Sequence, residues 1–246
     1  MHRRYILLAL VIGILPFAAL AAVAYHQSQA ENQREIDSAL DVVSRRVSEI
    51  LNNVVSVLGD AARATGGECS EDAVALLRRN AYLHPSIREI GIIRDHHLAC
   101  TSWGMVDPPM ALSREDESLM GQGLTVYALD EPALGIAAIS LTLGLRFRDG
   151  DQINAPVYPQ AIYRVLDGYG VADVNIGVVL DGKHLLAARY GGRYRELAAG
   201  AEDDALFPAD GYLHTVRSIP GFPLTIFAAL AGIWLRYSSK PSEPAL

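Results

Sequence analysis

Apolar residues follow three different patterns along this chain. From Tyr5 to Ala24 they run unbroken: YILLALVIGILPFAALAAVA contains no charge. A helix rising 1.5 Å per residue over such a run spans about 30 Å, the thickness of a bilayer core. Pro16 is tolerable within it, because spanning helices absorb kinks. His2, Arg3 and Arg4 precede the run and acidic residues come after it, so the positive-inside rule sets the N-terminus in the cytoplasm and the remainder outside. A cleaved signal peptide ending at Ala22-Val23-Ala24 is the rival reading, although its apolar core would exceed the roughly 7–15 residues usual for signals. Both readings export the chain beyond Tyr25.

The second pattern is periodic. Ile36, Leu40, Val43, Val47, Ile50, Val54, Val57 and Ala61 recur at alternating spacings of four and three. That is a heptad stripe on a helix running from Gln29 to Ala64, closed by Gly66-Gly67. Two uses are open: covering the chain's own domain, or a parallel homodimer through this stalk.

The third pattern is short runs broken by turn residues. Ser70 is a good N-cap for a helix over Glu71–Asn80. Strands are expected at Ile87–Arg94 and Leu98–Ser102 around the turn Asp95-His96-His97, and at Leu124–Leu129 and Gly135–Phe147 around Asp130-Glu131-Pro132. Val174–Leu180 and His184–Tyr190 flank an Asp181-Gly182 turn. Gly211–Ser218 and Leu224–Leu230 come last. Val106–Glu117, with Pro108-Pro109, and Asn154–Pro159 read as loops, and Gln160–Leu166 as a short helix. Together these predict an α+β domain: a long N-terminal helix leading into a mostly antiparallel sheet. The organisation expected is a cytoplasmic tip and anchor over 1–27, a stalk over 28–66, a sensor-sized domain over 67–235 and a tail over 236–246. The apolar stretch at 222–235 is short for a span and reads as a buried strand, with a marginal second span as the alternative.

Composition narrows the function. The 246 residues carry a net charge of -7, with a pI near 5.5, and no basic stretch able to neutralise phosphates. Nucleic acid is therefore not an expected partner. The two cysteines, Cys69 and Cys100, show neither CxxC nor Cys/His zinc spacing. Exported thiols meet an oxidising compartment, so a Cys69–Cys100 disulfide is expected, with periplasmic thiol oxidoreductases as partners. Whether such a bond is a plain staple or a redox-labile one stays open.

Catalytic patterns are absent from the sequence. There is no GxSxG around Ser102, Ser113 or Ser140, no GxxxxGK[ST] and no HExxH. His96-His97 after Asp95 shows no third metal ligand, so no metal and no cofactor is expected. Glu115-Asp116 and Asp203-Asp204 read as solvated surface. An anchored interaction protein and, last, an exported enzyme are the alternatives to a regulatory domain.

An N-terminal span, a long helix, one cysteine and then Cys100-Thr101-Ser102-Trp103-Gly104 resemble the CSS-motif sensory domain. That domain is the periplasmic input region of EAL-type cyclic-di-GMP phosphodiesterases. The resemblance covers about residues 1–235. It makes Cys100, Thr101, Ser102 and Gly104 the motif, with Thr101 in place of the first Ser, and Cys69 the partner cysteine. It implies redox control through a periplasmic disulfide, a PAS-like extracytoplasmic sensor fold and a link to cyclic-di-GMP signalling. Neither Glu131-Pro132-Ala133-Leu134 nor Glu243-Pro244-Ala245-Leu246 is an EAL signature, so catalysis is not carried over.

Overall fold

The computed structural model describes residues 2–111, 118–119, 123–129, 140–148, 151–168, 174–181, 184–190, 193–194 and 214–230. The side chains of the first helix are described from Leu15 onward, except that of Gln29. Ser113, Glu115-Asp116, Asp130-Glu131-Pro132, Gly182, Asp203-Asp204 and everything beyond Leu230 lie outside these residues. The chain divides into two compact units, Met1–Ser38 and Ala39–Leu246.

Helix α1 covers His2–Thr65, with Pro16 inside it. It stops where the periodic pattern stops. Gly66 and Gly67 take φ of 59° and 80°, a left-handed path that suits glycine. The Thr65 hydroxyl donates to the Ala61 carbonyl at 2.9 Å and accepts from the Gly67 N–H, so the end of the helix is capped. Helix α2, Glu71–Leu83, starts as expected: the Ser70 side chain accepts from the Ala73 N–H at 3.2 Å.

Beyond α2 the strands form two antiparallel sheets, where a single sheet was expected. The first contains β1 (Gly91–Arg94), β2 (His97–Thr101), β3 (Gly104–Ala111), β4 (Ser118–Leu119), β5 (Leu124–Leu129), β6 (Ser140–Arg148) and β7 (Asp151–Pro156), in the order β3-β2-β1-β7-β6-β5-β4. Helix α3, Pro159–Gly168, leads to the second: β8 (Val174–Leu180), β9 (His184–Tyr190), β10 (Arg193–Tyr194), β11 (His214–Ser218) and β12 (Leu224–Leu230), in the order β10-β9-β8-β12-β11.

Several expected loops are strands. Pro108-Pro109 lie in β3, an edge strand, where a missing N–H leaves no ladder partner unsatisfied. Residues 154–156, expected in a loop, complete β7 in the middle of the first sheet. Gln152-Ile153-Asn154-Ala155 alternates polar and apolar residues, but Gln152 and Asn154 are buried too, so both faces of this short strand are covered. Ile87 makes only an isolated bridge with Val157. The β1–β2 turn consists of Asp95 and His96, at φ 46° and 66°, and His97 already belongs to β2. Leu224–Leu230 is a strand paired on both sides, so that part of the C-terminal apolar stretch belongs to the second sheet.

Both sheets lie along α1. Asp41 on the helix is ion-paired with Arg217 on β11. Two turns before the helix ends, a Cβ built on Gly59 would sit 3.9 Å from the Leu145 side chain on β6. From Leu40 to Ala61 along the helix, Leu40, Val43, Val47, Leu51, Val54, Leu58 and Ala61 are fully buried within the chain itself. The stripe therefore covers its own domain. Ile50 is only half-buried.

Candidate functional site

The first sheet has two unlike faces, and its register assigns each residue. Leu124, Leu145, Ile153, Ile92 and Cys100 are successive cross-strand neighbours on one face. Leu145 is among them, so this face is the one turned to α1. Cys100 is fully buried there, and Cys69 bonds to it with the two Cα atoms 5.9 Å apart. The bond ties the chain just after α1 to the second strand of the first hairpin. A second tie runs parallel to it: Arg94 on β1 donates to the Gly67 carbonyl.

The residues after Cys100 form a locked turn. The Ser102 N–H donates to the Ile90 carbonyl at 2.8 Å, and the Ile90 N–H donates to the Ser102 hydroxyl. Ser102 is only 2% exposed. The Thr101 hydroxyl accepts from the Trp103 N–H at 3.1 Å, a short side-chain bond that bends the backbone. Arg78 of α2 donates to the Ser102 carbonyl at 3.0 Å. Gly104 takes φ of 148°, open to glycine more than to other residues. Thr101, Ser102 and Gly104 thus shape the turn and bind it to residue 90 and α2, while Cys100 binds it to α1.

Glu89 sits beside this turn. Burial raises its carboxyl above the ordinary value, against the lowering effects of the Arg88 charge and of a hydrogen bond with the Trp103 side chain. His96 and His97 are exposed, and His97 Nδ1 lies 2.8 Å from the Asp95 carbonyl oxygen. Among the described residues no three His, Cys, Asp or Glu side chains converge as a metal site.

The opposite face of the first sheet carries a feature that the sequence did not disclose. Thr125 and Tyr127 on β5, Thr142 on β6, and Gln152 and Asn154 on β7 all point to that face and are all buried. Gln152 Nε2 donates to the Thr125 hydroxyl at 2.6 Å, and that hydroxyl donates to the Gly144 carbonyl. Asn154 Nδ2 donates to the Tyr127 hydroxyl at 2.9 Å. Two glycines make room for the amides. A Cβ on Gly144 would collide with the Gln152 amide and the Thr125 hydroxyl, and one on Gly91 would meet Asn154 Oδ1 at 2.7 Å. Among the described residues the Thr142 hydroxyl and Gln152 Oε1 are buried and find no hydrogen-bond partner. The spacing of Gln152 with Asn154, and of Thr125 with Tyr127, was visible as period two. Without the register nothing linked the two pairs.

The family profile described as "CSS motif domain associated with EAL" matches residues 32–232. No curated protein matches the sequence. Among solved structures, the extracellular domain of a protein described as a histidine kinase, rpHK1S-Z16, is 17% identical with a TM-score of 0.59 over 87% of this chain and 99% of that one. The ligand-binding domain of the Pseudomonas fluorescens chemoreceptor CtaA in complex with L-serine is 13% identical, with a TM-score of 0.56 over 82% of this chain and 98% of that one. The ligand-binding domain of the Pseudomonas aeruginosa PAO1 amino acid chemoreceptor PctB in complex with L-Arg is 11% identical, with a TM-score of 0.57 over 85% and 98%. At these identities the likeness is one of fold: this chain has the architecture of extracellular sensor domains. Among the described residues no helix is long and apolar enough to cross a membrane.

Proposed function

This chain belongs to the family of CSS-motif domains associated with EAL, and on that premise we propose that it is a membrane-anchored periplasmic sensing domain that regulates cyclic-di-GMP signalling. The observation that carries this is the family match over residues 32–232, within which Cys69 and Cys100 are bonded and Thr101, Ser102 and Gly104 build one turn. The sensory role is shared by the family and by the extracellular domains of like fold. No catalysis is assigned to these residues.

The finer parts of the reading are expectations with their own supports. The anchor rests on the uncharged run Tyr5–Ala24, in which Leu15, Phe17, Leu20 and Val23 are exposed apolar side chains suited to lipid. Redox control rests on the disulfide at the junction of α1 with the first sheet: reducing it would release the helix end from β2. A homodimer through the stalk would use positions of α1 other than the stripe buried from Leu40 to Ala61.

Topology is the direct test. A reporter active only in the periplasm, fused after Ala64, is expected to be on, and a cytoplasm-only reporter at the same site is expected to be off. The reverse pattern overturns the periplasmic placement.

A further inference from the structure

The polar face of the first sheet has no part in the disulfide or the motif turn, which belong to the other side and to the β2–β3 end. We propose that it is a binding site for a small uncharged molecule carrying both hydrogen-bond donors and acceptors. The assignment rests on the sensory reading and names the ligand chemistry of that sensor.

Buried polar groups are paired in nearly all native structures, and a buried one without a partner calls for an explanation. Here there are two on adjacent strands, Thr142 across from Pro156 at 0% exposure and Gln152 across from Arg146 at 1%. Their neighbours are held in place. The Thr125 hydroxyl and the Gly144 carbonyl fix the Gln152 amide, and the Tyr127 hydroxyl fixes Asn154. The free Gln152 Oε1 is thus an acceptor in a set position, and the Thr142 hydroxyl can donate or accept. A preorganised array of this kind loses little freedom on binding.

Charge selects the class. Thr125, Tyr127, Thr142, Gln152 and Asn154 are all neutral, and Arg146, across from Gln152 in the register, is exposed. An ionic ligand among them would be desolvated with no opposite charge from these five side chains, which is costly. An uncharged molecule with hydroxyl or amide groups supplies the donor that Gln152 Oε1 lacks and a partner for Thr142. Residues 144 and 91 are glycine, so the backbone of the sheet stays clear beneath the two amides.

The test is thermal unfolding of the purified full chain in detergent with single probes at millimolar concentration. The uncharged set is monosaccharides, polyols and primary amides; the charged set is amino acids and dicarboxylates. At least one uncharged probe is expected to raise the melting temperature by several degrees. Thr142→Val, which replaces the hydroxyl with a methyl, is expected to melt no lower than the wild type without a probe, since it deletes a group that has no partner. Its affinity for the stabilising probe should fall about tenfold, the equivalent of one hydrogen bond. The site assignment is overturned if only charged probes stabilise, if none does, or if Thr142→Val keeps full affinity. It is also overturned if Thr142→Val melts well below the wild type, because the hydroxyl would then be satisfied by an ordered water. Stabilisation by charged probes alone would leave the sensory reading intact, whereas that reading falls on the topology reporter.

Discussion

At the scale of single residues, the two cysteines and two glycines carry the sharpest consequences. Cys69 and Cys100 close a loop of 31 residue steps, and the chain-entropy account of such a loop gives about 3–4 kcal/mol of stabilisation. Cys69→Ser and Cys100→Ser should each lower unfolding free energy by that order in urea titrations, and the double variant should lie no lower than either, because one bond is lost once. Gly144→Ala would press its Cβ against the Gln152 amide and Thr125. It should cost about 1–3 kcal/mol, the usual toll of overpacking, read from the urea midpoint. Glu89 makes a pH prediction. Its folded carboxyl titrates above the ordinary range, so the folded state holds its proton longer than the unfolded chain does. Its contribution to stability is therefore most favourable below the ordinary carboxylate range, and is lost as pH rises from there through the folded value. Glu89→Gln should flatten that part of the stability-versus-pH curve, measured by urea unfolding across pH. An unchanged slope would show that Glu89 does not titrate there.

At the scale of elements, α1 is a support rather than a free stalk from Leu40 onward. Its buried stripe is wider than a two-stranded seam: Leu51 and Leu58, outside the heptad positions, are as buried as Val47 and Val54. A face that wide is what a helix needs to cover sheets, whereas a coiled-coil seam is narrower. Leu51→Ala should cost about 2–5 kcal/mol, as a large-to-small change in a closed core does. If α1 were a detachable dimer stalk, the same change would alter crosslinking between copies and leave monomer stability unmoved. The β3 strand makes the complementary point: two prolines are compatible with a strand when it is the sheet's edge.

At the scale of the whole molecule, the helix end is where the pieces meet. The Cys69–Cys100 bond, the Arg94–Gly67 hydrogen bond and the Arg78–Ser102 hydrogen bond join α1, α2 and the first hairpin within a few residues. A change at that junction can be passed to the end of α1. Trapping free thiols in intact cells grown aerobically should leave both cysteines unlabelled; full labelling of folded protein would remove the redox part of the reading.

By itself, the sequence determined what is local. Periodicity marked the part of α1 from Gln29 onward and placed its end at Gly66-Gly67. The Ser70 cap, the β8 and β9 strands, and the bounds of β5 and β12 come from propensity and turn residues within a few positions. The pairing of the cysteines was legible because only two are present in the chain. Only the tertiary structure decided what depends on register between distant segments. That the strands form two sheets, that the α1 stripe is covered by its own chain, and that β7 is central could not be read locally, since strand pairing is set by partners far along the chain. The buried array of Thr125, Tyr127, Thr142, Gln152 and Asn154 is the clearest case. Each residue alone reads as polar surface, and only the antiparallel register of β5, β6 and β7 brings them to one face away from water.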